Sequence, residues 1–135
     1  MKASALCFQS AVVFVVAGMI WGITMGISQD FSASPAHAHL NLLGWVSLFL
    51  FGIYYRLHPS LEVAKTAIVQ ILVWIIGTIV LAIGIGLAST GHAIGDLVAA
   101  FGSLIVLFAV LLFGWLVFRS ERPDAGIRPM APAAR

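Results

Sequence analysis

The chain has 135 residues, of which 61% are hydrophobic and only 9% are charged, and its formal net charge is +2. A soluble globular domain has about 25% charged residues, so the composition excludes an ordinary soluble domain and indicates an integral membrane protein. The small positive charge does not indicate a nucleic-acid partner, and a single cysteine, Cys7, excludes an internal disulfide and a paired-cysteine metal site.

Four apolar stretches are long enough to cross a bilayer, which takes about 20 residues of helix. The sequence therefore predicts an all-α, polytopic membrane protein whose four transmembrane helices form one domain over residues 1–118. We expect the spans at about 10–28, 37–57, 66–88 and 94–118. Residues 119–135, rich in proline, alanine and arginine, are predicted to form a disordered cytoplasmic tail.

Proline and glycine residues mark the ends and the contact faces of these spans. Pro35 follows the polar stretch QDFSAS and is placed to open the second helix, and Pro59 is expected to end it. In the first span, Gly18, Gly22 and Gly26 form a ridge at four-residue spacing. Such ridges allow close contact between helices in lipid, so we expect this one to serve helix packing.

The basic residues predict the orientation of the chain, since all seven fall on one side of a four-span arrangement. They are Lys2, Arg56, Lys65, Arg119, Arg122, Arg128 and Arg135. The positive-inside rule makes that side cytoplasmic, which puts both termini inside a bacterial-type inner (plasma) membrane. His37, His39 and His92 then lie near the outer face, and His58 near the inner one. A signal peptide cleaved at AHA is the alternative for the N-terminus, but its apolar run is long and the cut would fall among the histidines.

The histidines are the first candidates for function, because an ionisable side chain inside a membrane is costly unless it is paired or bound. His37 and His39 lie two residues apart in PAHAHLNLLGW, at the outer end of the second span. A neutral imidazole is a good ligand for iron, copper or zinc. A helix turns by about 100° per residue, so the two rings point to nearly opposite sides and one ion cannot easily take both from one helix. The alternative is an interfacial pair bonded to water and carbonyl groups.

The remaining candidates have structural alternatives. His92 lies four residues before Asp96, so at a helix start the two side chains are expected to bond each other, with a ligand role for His92 as the alternative. His58 is expected to be an interfacial surface residue. Asn41 and Gly44 follow the H-x-H pair closely and complete the candidate site.

The segment HAHLNLLGWVSLFLFGIYYRLHP, residues 37–59, resembles the tenth transmembrane helix of the catalytic subunit of haem–copper oxidases. The likeness is closest to the C-type cytochrome c oxidases and the nitric oxide reductases. The shared pattern is H-x-H, Leu-Gly-Trp-Val at 43–46, Phe-Gly at 51–52, a tyrosine at 54 or 55 and a closing proline. In the first span, FVVAGMIWGITMG is similar, more weakly, to the family helix that precedes this segment.

The resemblance implies what the histidine pair binds. In the family the first histidine of H-x-H holds the high-spin haem and the second holds the low-spin haem. Carried over, His37 and His39 are axial iron ligands of two different b-type haems, and Asn41 and Gly44 belong to the same cofactor-binding segment. The family core has twelve helices in three arcs of four, so this chain corresponds to one arc and a homotrimer would rebuild the ring. In that ring, His37 of one subunit and His39 of the next would hold one haem, with up to three haems per trimer.

The chain also departs from the family. STGHAIG, residues 89–95, is faintly similar to the copper-binding loop but has one histidine, His92, where the family has two, so copper is not expected. Two histidines on one iron leave no open position for oxygen, so oxygen reduction by this chain alone is not expected. The resemblance implies a cytochrome c oxidase subunit I-like membrane haem protein in electron transfer or in redox or gas sensing. Its partners would be the bilayer, other copies of itself and other respiratory-chain membrane proteins.

Two alternatives stay open. One is an oxygen- or nitric-oxide-reducing enzyme with a haem–metal centre, in which His92 binds the second metal. The other is a cofactor-free assembly subunit that docks on other helices through its glycine ridges.

Overall fold

The computed structural model describes residues 2–121, and this part of the chain is helical apart from short connections. Its elements are α1 (Ala3–Ser28), α2 (Ser34–Asn41), a π-helical turn (Leu42–Ser47), α3 (Leu48–Leu57), α4 (Pro59–Glu62), α5 (Lys65–Ser89) and α6 (Gly95–Ser120). The π-helical turn joins α2 to α3 without a break, so Ser34–Leu57 forms one helix, which we call the second span.

Four helices of the described residues are long and apolar enough to cross a membrane. These are α1, the second span, α5 and α6, with mean hydropathies of 2.1, 1.4, 2.6 and 2.7. The prediction of an all-α chain with four candidate membrane-spanning helices is therefore confirmed, and the helices indicate a membrane protein.

The predicted helix bounds need two corrections. The first span was expected from residue 10, whereas α1 begins at Ala3, because its first turns are packed inside the protein: Ser4 and Cys7 are almost fully buried. The fourth span continues to Ser120, two residues beyond the expected end. The rest of the predicted tail, 122–135, lies outside the described residues. Pro35 stands in the first turn of α2, and the second span ends at Leu57, ahead of Pro59, as predicted.

One end of the bundle collects the basic residues of the described part, Lys2, Arg56, Lys65 and Arg119, and we call it the basic end. The start of α1 is tied there to α4, because the Glu62 carboxylate accepts hydrogen bonds from the Ser4 amide (3.0 Å) and hydroxyl (2.6 Å). The opposite end, which we call the histidine end, holds the α1–α2 and α5–α6 connections.

The buried core lies in the half of the bundle nearer the basic end. The Phe51 ring meets Trp74 edge-on at 4.8 Å between centroids. The fully buried Tyr55 hydroxyl donates to Gln70 Oε1 at 2.8 Å, and the Gln70 amide donates to the Ala109 carbonyl at 3.3 Å. An unpaired polar group in lipid costs several kcal/mol, so these bonds allow Tyr55 and Gln70 to lie inside the bundle.

Helix α6 packs mainly on α5, through small residues. A Cβ on Gly84 would run into the backbone of Ala99, and one on Gly102 would run into that of Leu81. The two helices therefore approach each other at near-backbone contact, as small residues permit in a membrane.

Candidate functional site

The histidine pair lies on α2, near the histidine end of the second span. Pro35 opens this helix and lacks an amide hydrogen, which suits the first helical turn, where an amide would have no partner inside the helix. His37 and His39 follow in its next residues. The structure gives the two rings different surroundings, which agrees with the predicted rotation between them.

The His39 ring is oriented by the backbone of its own helix. Its Nδ1 lies 2.8 Å from the Pro35 carbonyl oxygen. A carbonyl only accepts hydrogen bonds, so Nδ1 carries a proton, and in the neutral ring the lone pair is on the second nitrogen, Nε2. His39 is exposed on the surface of the single chain. The ring is thus in the state in which histidine binds a metal, with its free nitrogen open to a group outside this chain.

The His37 ring lies between the second span and α1. It is half-buried, it meets Trp21 edge-on at 6.3 Å between centroids, and a Cβ built on Gly22 would lie 3.1 Å from its Cε1. It borders an open groove of about 500 Å³. The other residues that line this groove are Val15, Met19, Gly22, Ile23, Asn41 and Trp45. Cofactor and small-molecule sites have volumes of about 300–1,000 Å³ and mainly apolar walls, so the groove has the dimensions and lining of such a site.

Asn41 lies beside His37 and fixes the turn that carries it. Its amide nitrogen donates to the His37 carbonyl at 2.9 Å and lies 3.4 Å from each nitrogen of the His37 ring. Its side chain occupies the space left by the missing side chain of Gly18. Asn41 is therefore part of the candidate site, as a neighbour that holds His37 in place.

The glycine ridge of α1 has a more specific role than general helix packing. Gly18 makes room for Asn41 and Gly22 makes room for His37, while nothing lies within 4 Å of a Cβ on Gly26. Close packing is confirmed at two of the three positions. In the single chain, the third has no neighbour to pack against.

Gly44 belongs to the helix interface and not to the groove. It is buried, and a Cβ there would lie 2.6 Å from the Phe14 ring of α1. The space beside Gly44 is therefore filled by Phe14 in the single chain, and the place of Gly44 in the binding site stays a prediction.

The π-helical turn directly follows the histidine helix, and the sequence analysis did not anticipate it. A π-helical turn widens the helix and changes the pairing of its carbonyls, and such turns are frequent at functional sites. Two side chains take up these carbonyls: the Ser47 hydroxyl donates to Leu42 at 3.0 Å, and the Trp74 indole of α5 donates to Leu43 at 3.0 Å. One of these contacts comes from another helix, so the turn that separates the histidines from α3 is bonded to α5.

The expected bond between His92 and Asp96 is not the one that the structure records. The His92 Nδ1 lies 3.1 Å from the Thr90 hydroxyl, in the connection before α6. Because α6 begins only at Gly95, His92 is not on the same helix as Asp96, and the four-residue geometry does not arise. Among the described residues, no group of three or more metal-ligating side chains forms around His92 or elsewhere.

His58 lies at the basic end, away from the groove, and is bonded on both sides. Its Nδ1 lies 2.7 Å from the Tyr54 carbonyl and its Nε2 lies 3.0 Å from the Glu121 carboxylate, while its ring stacks on Tyr54 at 4.0 Å. It ties the end of α3 to the end of α6. Its position near the surface was predicted, whereas its contacts with the end of α6 were not.

In comparisons with known proteins, no family model, no curated protein and no solved structure matches this chain.

Proposed function

We propose that this chain is a b-type haem protein of the membrane that transfers electrons or senses a redox ligand, and that His37 and His39 bind the haem iron. The observation that carries the proposal is the hydrogen bond from His39 Nδ1 to the Pro35 carbonyl. In the neutral ring this bond leaves the lone pair of Nε2 available to bind a metal, which is the arrangement of metal-binding histidines. The resemblance of residues 37–59 to the oxidase helix supports haem as the group that is bound.

The residues around His37 fit a flat, apolar group. The groove offers about 500 Å³ beside the ring, and apart from His37 and Asn41 its lining side chains are apolar or aromatic, or absent at Gly22. Bound haem supplies a one-electron couple at its iron. This chain supplies the imidazoles, the apolar wall that excludes water, and Asn41, which orients the turn through the His37 carbonyl.

We infer a homotrimer from the positions of the two rings. His37 borders the groove against α1, whereas His39 is exposed and does not line that groove. One chain therefore offers a single ligand to each of two haems. In a closed ring of three copies, His37 of one subunit and His39 of the next would complete each site.

The test compares four alanine variants, each purified in detergent after expression with ample haem precursor. We expect His37→Ala and His39→Ala each to lower the haem content per chain at least fivefold, measured as the Soret band and by haem extraction. His58→Ala and His92→Ala are the matched controls and should keep the wild-type content. Native mass spectrometry should give three chains and up to three haems for the wild type.

Three results would contradict the proposal or its parts. Absence of a Soret band from the wild-type protein would contradict the proposal that the chain binds haem. Full haem content in either His37→Ala or His39→Ala would contradict the arrangement in which the two histidines bind one haem between neighbouring subunits. A strong difference spectrum on adding carbon monoxide to the reduced protein would show an open iron position and favour the oxygen- or nitric-oxide-reducing alternative.

A further inference from the structure

A second cavity lies at the basic end, far along the bundle from the histidine pair. It has a volume of about 210 Å³ and lies between α4, the start of α5 and the end of α6. Its lining consists of Ser60, Leu61, Ala64, Thr66, Leu116, Arg119 and Ser120. We propose that this cavity binds a phosphate group, and that the phosphate is the headgroup of an anionic phospholipid.

The polar lining combines one guanidinium with hydroxyl groups, of which the Ser120 hydroxyl is already engaged: it donates to the Val117 carbonyl at 3.0 Å and lies 2.6 Å from the Tyr54 hydroxyl. Arg119 supplies a guanidinium, which binds phosphate oxygens in a two-pronged geometry and stays charged at any physiological pH. Ser60 and Thr66 add hydroxyl groups from α4 and from the first turn of α5. A cavity of this volume holds several water molecules, so a phosphate group fits inside it.

The acidic groups nearby are engaged elsewhere. The Glu121 carboxylate lies 3.0 Å from His58 Nε2, and Glu62 accepts from Ser4 and lies 3.5 Å from Arg56. Neither carboxylate lines the cavity. Among the described residues that line the cavity, the only charge is therefore the positive one of Arg119, which favours an anionic headgroup.

The apolar part of the surroundings suits a lipid better than a free ion. Leu61, Ala64 and Leu116 form the remaining wall, and the Arg119 guanidinium lies 5.2 Å above the Trp115 ring. Tryptophan is enriched at the membrane–water interface and basic residues are enriched beside the cytoplasmic ends of spans, so this pair suits the level of the lipid headgroups. Basic pockets between helix ends on the cytoplasmic side are known to hold such headgroups. The proposal does not depend on haem binding.

The test titrates the detergent-solubilised full chain with phosphatidylglycerol, phosphatidylcholine or inorganic phosphate and counts bound molecules by native mass spectrometry. We expect phosphatidylglycerol to bind at least tenfold more tightly than phosphatidylcholine. Arg119→Gln should lose at least tenfold in phosphatidylglycerol affinity. Lys65→Gln is the matched control, since it removes the same charge at the same end but does not line the cavity; it should change affinity by less than threefold.

Ser60→Asp is a second variant that does not depend on the removal of Arg119. It puts a negative charge on the exposed rim of the cavity, in the first turn of α4, and should also weaken phosphatidylglycerol binding at least tenfold. Equal losses in Arg119→Gln and Lys65→Gln, or equal affinity for both lipids, would overturn the proposal. Competition by inorganic phosphate at equal concentration would keep the phosphate site but overturn the lipid as its ligand.

Discussion

Gly22 is the residue of α1 on which the position of the His37 ring depends most directly. In Gly22→Ala the new methyl group would lie 3.1 Å from His37 Cε1, so the ring must move by a few tenths of an ångström. Overpacking of this kind costs about 1–3 kcal/mol. We expect a several-fold lower haem affinity and a shift in the electron paramagnetic resonance signal of the oxidised haem. Gly26→Ala is the matched control, because nothing lies within 4 Å of its Cβ. Equal effects of the two variants on haem affinity would show that the contact between Gly22 and His37 does not influence the site.

Glu62 gives the chain a pH-dependent stability at the basic end. Burial raises the pKa of this carboxyl, but hydrogen bonds from Ser4 and the nearby charges of Arg56 and Lys2 outweigh it, so the pKa is lowered from its ordinary 4.5. A lowered pKa in the folded state means that the stabilisation is fully present above 4.5 and is lost as the pH falls through the folded value.

Replacing Glu62 by glutamine tests this dependence. Glu62→Gln should lower the free energy of unfolding at neutral pH by about 1 kcal/mol or more, because the amide keeps one uncharged acceptor oxygen and its NH2 group cannot accept the second bond from Ser4. The gap between variant and wild type should close as the pH falls below 4.5. Thermal unfolding in detergent over a pH series measures it. If the difference in free energy of unfolding between variant and wild type stays constant at pH values well below 4.5, the charge of Glu62 does not contribute to stability.

At the scale of elements, the π-helical turn connects the histidine helix to the rest of the bundle. Trp74→Phe keeps an aromatic ring against Phe51 but removes the donor to the Leu43 carbonyl. A buried carbonyl without a partner costs about 1–3 kcal/mol. We expect a lower unfolding temperature and faster amide hydrogen exchange in residues 42–47. Trp115→Phe, at a half-exposed tryptophan of α6, should leave exchange in this segment unchanged. Unchanged exchange in Trp74→Phe would mean that the turn forms without the indole.

The same element marks the limit of what the sequence predicts. The four helices and the turns at Pro35 and Pro59 follow from local properties, namely apolar length and the backbone restrictions of proline. The opposed directions of the two histidines follow from helix geometry alone. The π-helical turn does not follow from local properties, and one of its carbonyls, that of Leu43, is bonded by the indole of Trp74, 31 residues further along the chain.

The remaining differences also arise from contacts between distant residues. His92 bonds Thr90 because α6 begins three residues later than His92, a boundary that hydropathy places only roughly. The sequence placed Gly44 in the candidate site, but did not indicate that Phe14 packs against it. In the same way, the four-residue spacing of the α1 glycines predicted a packing ridge, whereas the side chains that pack on it, Asn41 and His37, could not be predicted.

At the scale of the whole molecule, packing is uneven along the bundle. The core of buried side chains lies towards the basic end, while the groove beside His37 lies in the other half. Met19, Ile23 and Trp45, which line this groove, are 42–61% exposed in the single chain. In the proposed ring, haem and the neighbouring subunit would cover this half, so we expect the apo form to be less stable than the haem-bound trimer.

Mixed trimers test the shared site directly. His37→Ala keeps His39 and His39→Ala keeps His37, so neither variant alone contains a complete pair in the proposed ring. When both are co-expressed, every mixed ring has one interface at which an intact His37 faces an intact His39. Purification through both tags selects the mixed rings, so about one third of the sites in the purified complexes should be restored. The haem content of differently tagged, doubly purified complexes should therefore rise well above that of either variant. If each histidine instead bound haem within its own chain, co-expression would give only the average of the two variants, whatever the oligomeric state.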